Sequence, residues 1–96
     1  MRLADSDRKI IKTVILKYIK NPKIILFGSR TDDSKKGGDI DILVQTDENI
    51  NLKKQIKILA EIELNGVERK VDMLFKTPHS KEQNIFKTAL DEGIVL

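Results

Sequence analysis

Two short apolar runs held close together by a polar stretch constrain this chain most. The first, Lys23-Ile24-Ile25-Leu26-Phe27, is continuous, β-branched and stopped by Gly28. Such a run reads as a buried strand rather than a helix. The second, Asp39 to Val44, carries a carboxylate at every other position at its start. Between them lie the polar residues 29–37 and the pair Gly37-Gly38. A parallel crossover needs about a dozen residues or more, usually with a helix. The connection is too short for that, so the two strands are expected to pair antiparallel.

The rest of the chain alternates helices with strands. Residues 6–20 place Ile10, Ile11, Val14, Ile15, Tyr18 and Ile19 on one helical stripe. Asp5 or Ser6 is the expected cap, and Asn21-Pro22 the stop. Asn49 to Leu64 reads as a second helix, closed by Asn65-Gly66. Its apolar stripe (Leu52, Ile56, Ile58, Leu59, Ile62) is wide. That stripe is expected in the core, with extra width that could serve a partner. Residues 67–75 give a third strand containing Val71-Asp72-Met73-Leu74-Phe75. Pro78 and Ser80 open a last helix, with Ser80 and Gln83 spaced as a capping box. It buries Ile85, Phe86, Ala89 and Leu90 and stops at Gly93, after which Ile94-Val95-Leu96 could add an edge strand. A helix between strands two and three allows them to run parallel through a right-handed crossover. The expected fold is α/β (α+β): one domain over 1–96, with a mixed three-stranded sheet and flanking helices.

Composition narrows the function. Of 96 residues, 40% are hydrophobic, enough for one core. Lys and Arg number 18 against 15 Asp and Glu, and the basic residues are scattered. That pattern gives no reason to expect direct nucleic-acid binding. There is no cysteine, hence no disulfide scaffold, thiolate metal site or cysteine nucleophile. No apolar run reaches the roughly 18–20 residues of a membrane span, and Met1 to Asp5 has no apolar signal-peptide core. The expected location is cytoplasmic.

The chemistry concentrates in residues 26–44 and at Asp72. Residues two apart on a strand share a face, so Asp39 and Asp41 project together while Ile40 and Ile42 enter the core. Like charges held this close repel unless a cation compensates. Magnesium or manganese, which take carboxylate oxygens, suit such a pair. Asp72 is a charge in an otherwise apolar strand, costly unless paired or metal-bound. With strands two and three adjacent, it reaches the same patch. Three such aspartates can hold two ions about 3.5–4 Å apart, as in phosphoryl and nucleotidyl transfer. Antiparallel pairing brings Gly28 and Ser29 to the same end of the sheet. There the glycine backbone admits a phosphate, and the Ser29 hydroxyl can donate to it. Arg30 could add a forked cation, or make a surface ion pair instead. Lys35, Lys36, Asp32 and Asp33 read as loop residues, and His79 as uninvolved. No Gly-Lys-Ser or Gly-Lys-Thr exists, which argues against a P-loop ATPase.

Phe27-Gly28-Ser29-Arg30, then Gly37-Gly38-Asp39-Ile40-Asp41-Ile42-Leu43-Val44 and the later Asp72, resemble the signature of the DNA polymerase β nucleotidyltransferase superfamily. The short length and the wording of residues 26–44 are similar to its minimal nucleotidyltransferase (MNT) branch. The resemblance implies that Gly28 and Ser29 bind the triphosphate of a nucleotide. It implies that Asp39 and Asp41 ligate two Mg2+ or Mn2+ ions. Asp72 would ligate the catalytic ion and help deprotonate the acceptor hydroxyl. It further implies an MNT antitoxin paired with a HEPN-type toxin, transferring AMP from ATP onto that partner. A binding antitoxin that only masks its partner is the alternative from another class. A small-molecule adenylyltransferase, of an antibiotic for example, is the third reading, and the absence of a second pocket-forming domain weighs against it.

Overall fold

The computed structural model describes residues 3–27, 40–78, 80 and 83–96. The elements run α1 (Asp5–Tyr18), β1 (Lys23–Phe27), β2 (Ile40–Gln45), α2 (Leu52–Leu64), β3 (Val71–Lys76), α3 (Asn84–Glu92) and β4 (Ile94–Val95). The sheet has four strands in the order β3-β2-β1-β4, where three were expected. β1 pairs antiparallel with β2, and β2 pairs parallel with β3, as the connection lengths require. The added strand is β4, which pairs antiparallel with β1 through Ile25↔Val95 and Leu26↔Ile94. Gly93 makes this return possible. A Cβ there would run into the Ile25 side chain and the Ala89 carbonyl oxygen, and would lie 2.9 Å from the Leu26 carbonyl oxygen.

Alternation along the strands sends apolar side chains to both faces. On one face Ile24, Leu26, Ile40, Ile42 and Val44 pack with Ile11, Val14 and Ile15 of α1 and with Ile58 and Ile62 of α2. On the other, Ile25, Phe27, Leu43 and the half-buried Leu74 pack with Phe86 and Ala89 of α3. Helices therefore cover both faces, which is why the central strands read as continuous apolar runs. Tyr18 pins α1 to α2 by donating its hydroxyl hydrogen to Glu61 Oε1 at 2.6 Å, and Lys17 Nζ lies 3.2 Å from the same carboxylate. These contacts hold the Glu61 carboxyl below its ordinary pKa, with the Tyr18 hydrogen bond the larger cause and Lys17 next. The same bond raises the Tyr18 hydroxyl, since ionisation would forfeit it beside a negative charge.

The element ends differ from the sequence expectation. The N-cap of α1 is Ala4, without a side-chain bond, rather than Asp5 or Ser6. Asp5 and Asp7 still lie in its first turn, where negative charge suits the helix dipole. The helix ends at Tyr18, and Asn21 takes a left-handed φ of 52° ahead of Pro22. α2 starts at Leu52, because the Asn51 side chain accepts from Lys54 N at 2.8 Å. It stops as expected at Asn65-Gly66, with Gly66 at φ 111°, a conformation suited to glycine. Ser80 does not cap α3. Its hydroxyl accepts from Thr77 N at 2.9 Å and donates to the Phe75 carbonyl at 3.2 Å, closing the turn after β3. α3 begins at Asn84 instead, with Gln83 as a cap position that makes no side-chain bond. Phe86 and Ala89 are buried as expected, whereas Leu90 faces outward. The expected burial of Ile85 lies outside the described side chains. On α2, Ile58 and Ile62 are core but Leu52 and Ile56 are exposed. Among the described residues no helix is long and apolar enough to cross a membrane.

Candidate active site

The C-terminal end of β1 and the N-terminal ends of β2 and β3 meet at one end of the sheet. There Phe27 is the register partner of Asp41, and Asp41 is the register partner of Asp72. Register partners point to the same face. The three form a row across three strands, on the face that α3 covers. One step inward on that face lies the apolar row Ile25, Leu43 and Leu74. The local sequence dictates this change from apolar to acidic. Asp41 precedes Leu43 by two residues and Asp72 precedes Leu74 by two, so each carboxylate shares a face with a core residue.

Adjacent strands lie about 4.8 Å apart, which puts the two carboxylates within reach of one cation. Asp41 is half-buried and Asp72 is exposed. Lys70 Nζ lies 3.7 Å from Asp72 Oδ1, and the Asp72 side chain retains 48% of its exposure. Sequence reasoning missed Lys70. The signal was its spacing, two residues before Asp72 on the same side of the chain. An exposed pair of this length contributes little to stability, so the Asp72 carboxylate is open to a stronger cation.

The candidate residues divide into two groups. Asp41 and Asp72 are brought together. Asp39, Gly28, Ser29 and Arg30 lie in segment 28–39, outside the described residues, as do Lys35, Lys36, Asp32 and Asp33. His79 also lies outside them. Among the described residues no group of three or more acidic or histidine side chains forms a metal cluster. The two-carboxylate set does fit a hard divalent ion in its chemistry: it offers oxygen donors, partly exposed, on neighbouring strands. Phe27, the last residue of β1, is the register partner of Asp41.

Comparison with known proteins bears on the fold and the family. Among solved structures the chain is similar to a tri-AMPylated Shewanella oneidensis HEPN toxin in complex with MNT antitoxin. That match has a TM-score of 0.67 and 21% identity, covering 94% of this chain and 67% of the other. A toxin–antitoxin with AMP-PNP gives a TM-score of 0.70 at 21% identity, covering 93% and 70%. A further Shewanella oneidensis structure gives 0.72 at 12% identity, covering 98% and 71%. At these identities the likeness is one of fold. A search of curated protein sequences finds no significant match. The family model for polymerase beta, nucleotidyltransferase matches residues 9–96, from α1 to the last residue of the sequence. With that match spanning both strands of the carboxylate pair, the chain belongs to the polymerase beta nucleotidyltransferase family.

Proposed function

We propose that this protein transfers AMP from ATP to a hydroxyl of a partner protein, as the MNT antitoxin of a HEPN-type toxin. The observation that carries the reading is the register pairing of Asp41 with Asp72 at the end of the sheet where segment 28–39 begins. Family membership supports nucleotidyl transfer as the reaction. The structural neighbours, an AMPylated HEPN toxin with its MNT antitoxin and a toxin–antitoxin with AMP-PNP, support the partner and the nucleotide.

Asp41 and Asp72, with Asp39, would hold two Mg2+ or Mn2+ ions. When bound, the metal neutralises triphosphate charge and stabilises the charge that builds on the reacting oxygens. Gly28 would let the phosphates approach the backbone, Ser29 would donate to a phosphate oxygen, and Arg30 would add a cation. The acceptor oxygen attacks the α-phosphorus, forming one P–O bond. The bond to the β-phosphate oxygen breaks, and pyrophosphate leaves. Asp72, the more exposed of the two carboxylates, would take the proton of the acceptor hydroxyl. The reaction belongs in the cytoplasm, where ATP and such a partner meet.

The test is incubation with labelled ATP, magnesium and a HEPN-type protein encoded beside this chain. The expected result is label on the partner, lost in Asp41→Asn and Asp72→Asn. Toxin neutralisation that survives both substitutions would instead make the protein a masking antitoxin. Label on an added aminoglycoside and none on the partner would make it a small-molecule adenylyltransferase.

A further inference from the structure

The outward face of α2 is unlike a solvated helix face. Leu52, Ile56, Ala60 and Leu64 are all exposed and four residues apart, with Leu52 at 70%, Ile56 at 57% and Leu64 at 84%. Residues at that spacing form one ridge along a helix. A surface helix normally presents polar side chains here, and a contiguous exposed apolar patch marks an interaction site. The core face of the same helix is already filled through Ile58 and Ile62. The ridge therefore has no packing partner within the described residues.

The charges around the ridge are segregated along the helix. Its first half carries Lys53, Lys54 and Lys57, and its second half Glu61 and Glu63. Lys54 pairs with Glu48, and Glu61 is held by Tyr18 and Lys17. Lys53, Lys57 and Glu63 form no ion pair among the described residues. We propose that the occupant of this face is a second copy of the chain, with the two α2 helices packed antiparallel about a two-fold axis at the level of Ile58. Such an axis brings Ile56 to the level of the second copy's Ala60, a large side chain over a small one. It brings Leu52 to the level of the second copy's Leu64. The basic half of each helix then lies along the acidic half of the other, whereas a parallel arrangement would set like charge on like. A two-fold contact of this kind is self-complementary and closed. One helix face is a small interface, so the dimer is a weak one.

The experiment is sedimentation velocity on the wild-type chain from about 10 μM to about 500 μM, a range that spans a micromolar equilibrium. The expected result is a concentration-dependent dimer. Ile56→Glu or Ala60→Glu, with helix content checked by circular dichroism, raises the dissociation constant at least about tenfold. Two charge-reversed variants settle the orientation, one carrying Lys53→Glu with Lys57→Glu and the other Glu63→Lys. Each alone is monomeric, and an equimolar mixture dimerises again. A wild-type chain that stays monomeric throughout overturns the proposal. So does a dimer that survives both ridge variants, or a mixture that remains monomeric. Ridge variants that leave the oligomeric state alone but lose a HEPN-type partner would also overturn it, giving the face to that partner. None of these residues belongs to the carboxylate site, so the outcome is independent of the transfer assay.

Discussion

Asp41 and Asp72 are register partners on adjacent parallel strands and point to the same face of the sheet. Like charges directly opposite one another destabilise a sheet by about 0.2–1 kcal/mol relative to a neutral pair. The register sets two like charges side by side, and a bound cation would offset their repulsion. Of the two variants Asp41→Asn and Asp72→Asn, the second should leave the metal-free protein about as stable as wild type, because the pair of Asp72 with Lys70 is exposed. Each should reduce nucleotidyl transfer by at least about a hundredfold, the scale of losing a group that stabilises transition-state charge. Thermal melts in EDTA beside transfer assays in magnesium separate the two effects.

Metal binding to the native state alone must raise its stability by mass action. Millimolar magnesium or manganese should raise the melting temperature of the wild type. The gain should shrink in Asp72→Asn. Lys70→Ala should enlarge it or leave it unchanged, because Lys70 is the cation beside Asp72, at 3.7 Å, when no metal is bound.

The bond between Tyr18 and Glu61 gives a pH dependence whose sign is fixed. The Glu61 carboxyl is held below its ordinary value of 4.5, chiefly by the Tyr18 hydroxyl. Its contribution is thus present above the unfolded-state value and is lost as pH falls through the lower folded-state value. Tyr18→Phe should lower the melting temperature at neutral pH, with a smaller difference at pH 3. Side-chain carboxyl titration by NMR should show Glu61 moving back towards its ordinary value in that variant.

Gly93→Ala should destabilise the fold by about 1–3 kcal/mol, the range for forcing an extra methyl into a filled site. The added carbon meets the Ala89 carbonyl oxygen as well as the Ile25 side chain, and backbone yields less easily than a side chain. The docking of β4 on β1 should loosen first. Hydrogen exchange at Leu96 N, which donates to the Ile24 carbonyl at 2.9 Å, reports it.

The sheet was legible in the sequence because three features agreed. Residues 23–27 and 40–44 are β-branched and apolar, the first connection is short, and the second contains a helix. The approach of Asp72 to Asp41 followed from those same connections. Helix starts were less legible. Ser80 and Gln83 have the spacing of a capping box, but Ser80 spends its hydroxyl on Thr77 N and the Phe75 carbonyl. Local spacing cannot show that competition. The fourth strand was legible only as an option, since Ile94 and Val95 are too few to show a period. The width of the α2 stripe was visible, but periodicity alone could not separate Ile58 and Ile62, which are core, from Leu52 and Ile56, which are not. Lys70 escaped because its meaning depends on the carboxylate two residues further on.

Manganese uptake followed by electron paramagnetic resonance, with a non-hydrolysable ATP analogue present, probes the acidic pair without requiring any acceptor. The wild-type protein should take up manganese ions in the presence of the analogue. Asp41→Asn and Asp72→Asn should each bind the ions at least about tenfold more weakly. Undiminished uptake in both variants would contradict the assignment of these two carboxylates to a shared metal and nucleotide site.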